Sequence, residues 1–127
     1  MKKNFLIINF IGKNDKIGLK VNEQFFMHAF NSNLKNNDQL VLSILNLVKK
    51  YKVNFNSNFS ILVNSGPGSY SSTRVALSVA KGIKISKKIN IFAYKDSDLE
   101  QFNLVNIEFL IKKGLIQKNL IKPLYLS

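Results

Sequence analysis

Phe59-Ser60-Ile61-Leu62-Val63-Asn64-Ser65-Gly66-Pro67-Gly68-Ser69-Tyr70-Ser71-Ser72-Thr73-Arg74-Val75-Ala76-Leu77-Ser78-Val79-Ala80-Lys81-Gly82 is the stretch on which the fold turns. Phe59 to Val63 reads as a strand. It leads into Gly66-Pro67-Gly68-Ser69, and a helix begins near Ser71 or Ser72, either of which can cap it, and continues to about Lys84. Two glycines let a backbone turn sharply and come close to another group. The helix N-terminus behind them presents free N–H groups and a partial positive charge, which favour an anion. Gly66, Pro67, Gly68 and Ser69, with Arg74 in the first helical turn, are therefore a candidate anion-binding loop. A tight structural turn is the plainer explanation of the same residues. No Gly-Lys-Ser/Thr follows, the third glycine of a dinucleotide fingerprint is missing, and Ser71 stands where a nucleophile elbow needs glycine.

Upstream, Asn4 to Phe10 reads as a buried strand, Gly12-Lys13-Asn14-Asp15 as a turn, and Ile17 to Val21 as its alternating hairpin partner. Gln24 to Phe30 follows a tight turn at Asn22-Glu23, which makes a three-stranded meander. The polar loop Asn31 to Asn37 ends in candidate helix caps, Asn36 or Asn37, with Asp38 in the first turn. Leu40, Ile44, Leu47, Val48 and Tyr51 then recur at helical spacing, and Lys49, Lys50 and Lys52 sit where the helix dipole favours cations. Val41 and Leu45 widen that apolar face, and the surplus is either core or a surface kept for a partner.

Downstream, Ile89 to Tyr94 is a fifth strand, and Ser97-Asp98-Leu99-Glu100 matches a capping box that opens a short helix. Asn106 to Lys113 places Ile107, Leu110 and Ile111 on one helical face and stops at Gly114. The tail Lys122 to Ser127 is expected to be extended because of Pro123. The order is βββαβαβαα, an α/β domain with one mixed five-stranded sheet spanning residues 1–127.

A chain of 127 residues fits one domain with a real core, and 46% hydrophobic residues exclude a disordered tail. No cysteine is present, which removes disulfides, zinc–thiolate sites and thiol catalysis, and a single histidine, His28, removes any centre needing two imidazoles. His28 reads as a packed or edge histidine rather than a catalytic base. The apolar run at Phe5 to Ile8 is too short to span a bilayer, and Asn9 interrupts it with no Ala-x-Ala-like cleavage site after it. A first strand and a cytoplasmic, membrane-free protein are expected.

The net charge of +12 should attract nucleic acid or acidic partners. Eighteen of the nineteen basic residues are lysines scattered in pairs, however, and Arg74 is the lone arginine. Readers of nucleic-acid sequence usually add Arg forks or interleaved aromatics, so a solvated basic surface fits better, with a weak electrostatic role near RNA as the alternative.

Ser72, Ala76 and Ala80 form a stripe of small side chains four residues apart, with Val75, Val79 and Ile83 beside them and Gly82 near the helix end. Such a stripe admits another helix closely, or else rests on the chain's own sheet. Asn64 to Gly82 resembles the GPGSFTG-x-R…A-[KQ]-G signature of the TsaB (YeaZ) family, with Tyr70 for Phe, Ser71 for Thr, Ser72 for Gly and Ala76 for a second Gly. Pro123-Leu124-Tyr125-Leu126 resembles that family's near-C-terminal Pro-x-Tyr-Leu, with Ser127 in place of the usual Arg.

The resemblance implies one lobe of an actin-like (ASKHA, ribonuclease H-like) fold, shortened by most of a second lobe. It also implies a non-catalytic partner of the TsaD enzyme in threonylcarbamoyladenosine (t6A) modification of tRNA, with TsaE ATPase as a further assembly member. No cofactor of the chain's own is expected, and ATP or ADP only in the assembled complex. Asn9 stands where actin-like ATPases carry a metal-associated aspartate, which argues against hydrolysis by this chain. The implied partner face comprises Leu40, Ile44, Leu47, Val48 and Tyr51 on the first helix and Ser72, Val75, Ala76, Val79, Ala80 and Ile83 on the second. Family members also homodimerise through this face, so an isologous contact is a further expectation. Rival readings are a small nucleotide- or phosphate-binding enzyme domain using Gly66–Ser69, and a freestanding RNA-binding module resting on charge alone.

Overall fold

Strand β1, Asn4–Asn9, carries Phe5-Leu6-Ile7-Ile8 without polar alternation because both faces of the sheet are covered where it runs. Leu6 and Ile8 point into one apolar cluster, and Phe5 and Ile7 into a second on the opposite face. Each side chain so buried contributes about 1.5–3 kcal/mol relative to exposure. The computed structural model describes residues 4–30, 37–56, 58–87 and 89–118. The expected Asn36 cap, the loop before it and the Pro123-Leu124-Tyr125-Leu126 tail lie outside the described residues.

The sheet order is β3-β2-β1-β4-β5. Strands β2 (Lys16–Val21) and β3 (Gln24–Ala29) continue from β1 as an antiparallel meander, while β4 (Phe59–Asn64) and β5 (Asn90–Tyr94) extend it in parallel on the other side. β4 is buried along its whole length, with Ile61 and Val63 in the first cluster and Leu62 in the second. β3 is an outer strand, and its Met27 and His28 are exposed. The His28 ring stands edge-on to Phe30 with centroids 5.1 Å apart.

Helices α1 (Asn37–Lys50) and α2 (Tyr70–Lys87) cover the first cluster, and α3 (Leu104–Lys112) covers the second. α1 stops two residues before the expected Lys52. Lys52 itself takes a left-handed φ of 51°, and the N–H of Val53 reaches back to the Val48 carbonyl at 3.0 Å. This is a Schellman-type closure in which lysine stands where glycine is usual.

Two boundaries differ from expectation for identifiable reasons. The helix predicted from Ser97-Asp98-Leu99-Glu100 shrinks to a single 3-10 turn, Asp96–Asp98, whose preceding residue Lys95 makes no side-chain cap. Leu99 returns to extended backbone because its side chain packs against the second cluster. The closing pair of helices is therefore one turn and one helix. α3 begins at Leu104 because the Asn103 side chain accepts the Asn106 N–H at 2.8 Å. It ends as expected before Gly114, which sits at φ 73°. Beyond it, Gln117 exchanges two backbone hydrogen bonds with Ala93 and so covers part of the β5 edge.

Candidate functional site

The Gly66–Ser69 loop is pressed against the chain's own β1–β2 turn. A Cβ on Gly68 would lie 2.5 Å from Ile11 Cβ and 2.7 Å from the Ile11 carbonyl oxygen, and one on Gly12 would lie 2.9 Å from Ser69 Oγ. The Ser69 N–H donates to the Ile11 carbonyl at 2.8 Å. Asp15 stiffens the opposing turn by accepting from the Ile11 and Gly12 N–H groups, both at 3.0 Å. The close approach that the glycines allow is thus an approach to self.

The helix start is one residue earlier than expected, and neither Ser71 nor Ser72 caps it. Ser69 does, its Oγ accepting the Ser72 N–H at 3.3 Å and its carbonyl the Thr73 N–H at 3.0 Å. Gly66 N–H donates to Asn64 Oδ1 at 2.8 Å. Three N–H groups of the candidate anion cradle, those of Gly66, Ser69 and Ser72, are therefore satisfied internally, which favours the structural-turn reading.

Asn64, almost fully buried at the end of β4, joins the parts. Its Nδ2 donates to Asn9 Oδ1 at 2.7 Å and to Asp96 Oδ1 at 3.1 Å, while its Oδ1 holds Gly66. The Asp96 N–H in turn donates to the Gly66 carbonyl. This polar lattice at the carboxyl ends of β1 and β4 forms the wall of an open cleft of about 630 Å³, which Lys13, Lys16, Glu100 and Phe102 also line. Tyr94, buried beside it, has its hydroxyl pKa pushed well above the ordinary phenol range by burial and by the Asp96 carboxylate, with Asn64 partly offsetting both. Residue spacing gave no sign of Asn64 as a hub; the available hint was a polar residue closing an otherwise apolar strand.

Arg74 is exposed and turned to its helical neighbour Tyr70 rather than to the Gly66–Ser69 backbone. Its Nη1 donates to the Tyr70 hydroxyl at 2.8 Å, and the guanidinium carbon lies 4.9 Å from the ring centroid. This i, i+4 pair engages the guanidinium on its own helix.

The expected partner face divides in two. Leu40, Ile44, Ser72, Ala76 and Ala80 are buried within the chain itself. The small stripe is internal packing: with no long side chain at 72, 76 or 80, α2 sits down closely on the sheet, so these residues are not available to a partner. Leu47, Val48, Tyr51, Val75, Val79 and Ile83 are half-buried and lean on the same cluster, Tyr51 stacking on Phe26 at 3.7 Å.

The exposed apolar side chains lie one step round the helices. Val41, Leu42 and Leu45 on α1 and Ile85 on α2 face outward, Leu42 and Leu45 being more than half exposed and Ile85 81%. Between the helices runs an apolar groove of about 360 Å³, bounded by Val41, Ile44, Leu45 and Val48 of α1, by Phe55, and by Ser78, Val79, Gly82, Ile83 and Lys87 of α2. Gly82 has open space where a Cβ would be, so the groove is shaped in part by the missing side chain. Among the described residues, no group of three His, Cys, Asp or Glu side chains is placed to hold a metal ion, and no helix is long and apolar enough to cross a membrane.

Three antiparallel strands joined to two parallel ones, with two helices on one face and one on the other, define a single α/β lobe with a mixed five-stranded sheet. The solved structures it resembles include YeaZ from Pseudomonas aeruginosa, with a TM-score of 0.69 and 16% sequence identity, covering 88% of this chain and 50% of that one. A second structure, of a protein with similarity to the peptidase YeaZ from Pseudomonas aeruginosa, gives a TM-score of 0.68 at 16% identity with the same coverage. The fold is YeaZ-like, and the chain spans about half the length of these two structures. No protein-family model and no curated protein sequence matches it.

Proposed function

We propose that this chain is a TsaB-like docking subunit that binds a TsaD-like catalytic protein and supports t6A formation on tRNA without performing the chemistry itself. The observation that carries the reading is the apolar groove left open between α1 and the second half of α2, the helix that the signature-like Gly66–Arg74 segment opens. A stable complex there would bury on the order of 1,200–2,000 Å² in total. Its energy would come from a few aliphatic anchors in and beside the groove, Leu45, Val48, Val79 and Ile83 among them. ATP or ADP belongs to the assembled complex in this reading, TsaE would join through the partner, and tRNA contact by this chain is weak or indirect. The cytoplasm is the compartment in which such an assembly would work.

Reconstitution with the cognate TsaD and a tRNA substrate tests this. The chain alone should show no threonylcarbamoyl transfer, and adding it to TsaD should raise turnover. Turnover unchanged by its presence would remove the proposal.

A second reading has one observation in its favour. The 630 Å³ polar cleft beside Asn9, Asn64 and Asp96 is large enough for a small polar ligand, although the neighbouring Gly66 and Ser69 amides are engaged. Nucleotide titration of the isolated chain separates the two: a docking subunit should show no saturable binding without its partner.

A further inference from the structure

We infer that the outer edge of β3 pairs with the same edge of a second copy of this chain, joining two five-stranded sheets into one across a twofold axis. The inference goes beyond the docking reading above and is independent of it, because it uses a sheet edge and not the α1–α2 groove. The sheet treats its two edges differently. On the β5 side, Gln117 exchanges two backbone hydrogen bonds with Ala93. On the β3 side, the Phe30 N–H donates to the Asp15 carbonyl at 2.9 Å, so by strand alternation Phe26 and His28 also turn their backbone groups to β2. Those of Phe25, Met27 and Ala29 point outward, and among the described residues they meet no backbone partner. Met27, His28 and Ala29 are all exposed, Met27 at 56%.

Sheet edges are usually blunted by lysine, proline, a bulge or an inward charge. β3 carries none of these. Eighteen lysines are spread through the chain, yet Gln24 to Phe30 holds no lysine, carboxylate or proline. Its register against β2 runs unbroken from Val21↔Gln24 to Lys16↔Ala29.

The order of side chains fits a copy of itself. With Met27 on the twofold axis, an antiparallel partner sets Phe25 opposite the second copy's Ala29 and Phe26 opposite its His28. Large meets small on one face, aromatic ring meets imidazole on the other, and no like charges stand opposite each other. Two chains of net charge +12 can therefore approach along this strand without setting lysine against lysine. Each copy spends its β3 edge, so the association closes at a dimer. One strand buries less than the about 1,200–2,000 Å² of a stable complex, which makes the dimer weak, with a Kd above about 1 µM.

Sedimentation velocity of the full chain, from about 5 to about 500 µM, should show a monomer–dimer equilibrium. It should strengthen between about 50 mM and about 0.5 M salt, as screening relieves the repulsion between two cationic chains. Hydrogen exchange should protect the Phe25, Met27 and Ala29 amides as concentration rises and leave those of Phe26 and His28 unchanged. Met27→Pro removes only an outward N–H, and Met27→Lys opposes like charges across the axis. Each should weaken the dimer at least about tenfold, with circular dichroism confirming the fold.

A monomer at every concentration would overturn the inference, as would a dimer whose Phe25, Met27 and Ala29 amides stay unprotected. So would growth into polymers, or a dimer dissolved by Leu45→Glu and indifferent to both Met27 variants. Where a variant does not fold, the exchange pattern of the parent chain decides alone. Absence of TsaD binding would leave this pairing standing, and absence of the dimer would leave the docking reading standing.

Discussion

The two ends of α2 meet opposite fates. At its N-terminus, glycines, free amides and a serine look made for an outside ligand, yet Ile11, Asn64 and Ser69 of the same chain take up the N–H groups of Ser69, Gly66 and Ser72. Along its second half, Val79, Gly82 and Ile83 have no comparable cover, and with α1 they leave an apolar groove open. The contrast follows from the number of partners each kind of group requires. A backbone N–H needs one acceptor, which a neighbouring turn can supply. Here α1 and α2 carry apolar side chains beyond the inward stripe, Val41, Leu42, Leu45 and Ile85 among them, and one sheet face can cover only that stripe. Polar demand is met locally here, while apolar demand is left over for something else.

Substitutions at the closed end should cost stability, and those at the open side should not. The largest effect is expected for Gly68→Ala, whose new methyl would meet Ile11 Cβ and the Ile11 carbonyl. About 2–4 kcal/mol should be lost in urea unfolding. An unchanged midpoint would mean that the loop is not pressed on the β1–β2 turn. Ala80→Leu comes next, at about 1–3 kcal/mol, because it overfills a site with no exposed surface. Its failure to destabilise the isolated chain would return the small stripe to the list of partner contacts.

The smallest effect concerns Tyr94. Its folded pKa is raised, so the folded state holds the phenolic proton more tightly than the unfolded chain does. The associated stability is complete below the ordinary phenol pKa of about 10 and is lost as pH climbs through the higher folded value. Between about pH 9 and pH 11, Tyr94→Phe should lose less stability than the parent chain, lysine titration accounting for the remainder in both. Identical slopes would show that the buried hydroxyl does not resist ionisation.

Local patterns carried the strands and helices well. The apolar run Phe5–Ile8 and the mostly apolar Phe59–Val63, interrupted only by Ser60, marked the two central strands, because burial on both faces removes the polar alternation. They failed where packing outbid a local signal. Leu99 pulls the capping-box segment out of a helix, and Lys52 ends α1 in a conformation that glycine would have advertised. The candidate site was only partly legible for the same reason. Helical spacing gathered Leu40, Ile44, Ala76 and Ala80 into one face, but it does not say which side of a helix meets the sheet. Of the residues that emerge into solvent, Val41 and Leu45 belong to the surplus that widens that face, whereas Leu42 and Ile85 fall outside it.

Residue order alone was enough for the strand–loop–helix core, the mixed sheet and the cationic character of α2, since these depend on short-range periodicity, turn chemistry and composition. The folded arrangement was needed to show that the glycine loop serves its own chain and that the small stripe lies inside. It was equally needed to show that an apolar channel stays open between α1 and α2, shaped in part by the missing side chain of Gly82. Those facts rest on contacts between segments as distant as Ile11 and Ser69, or Asn9 and Asn64, and no local pattern encodes a distance that only closure of the sheet creates.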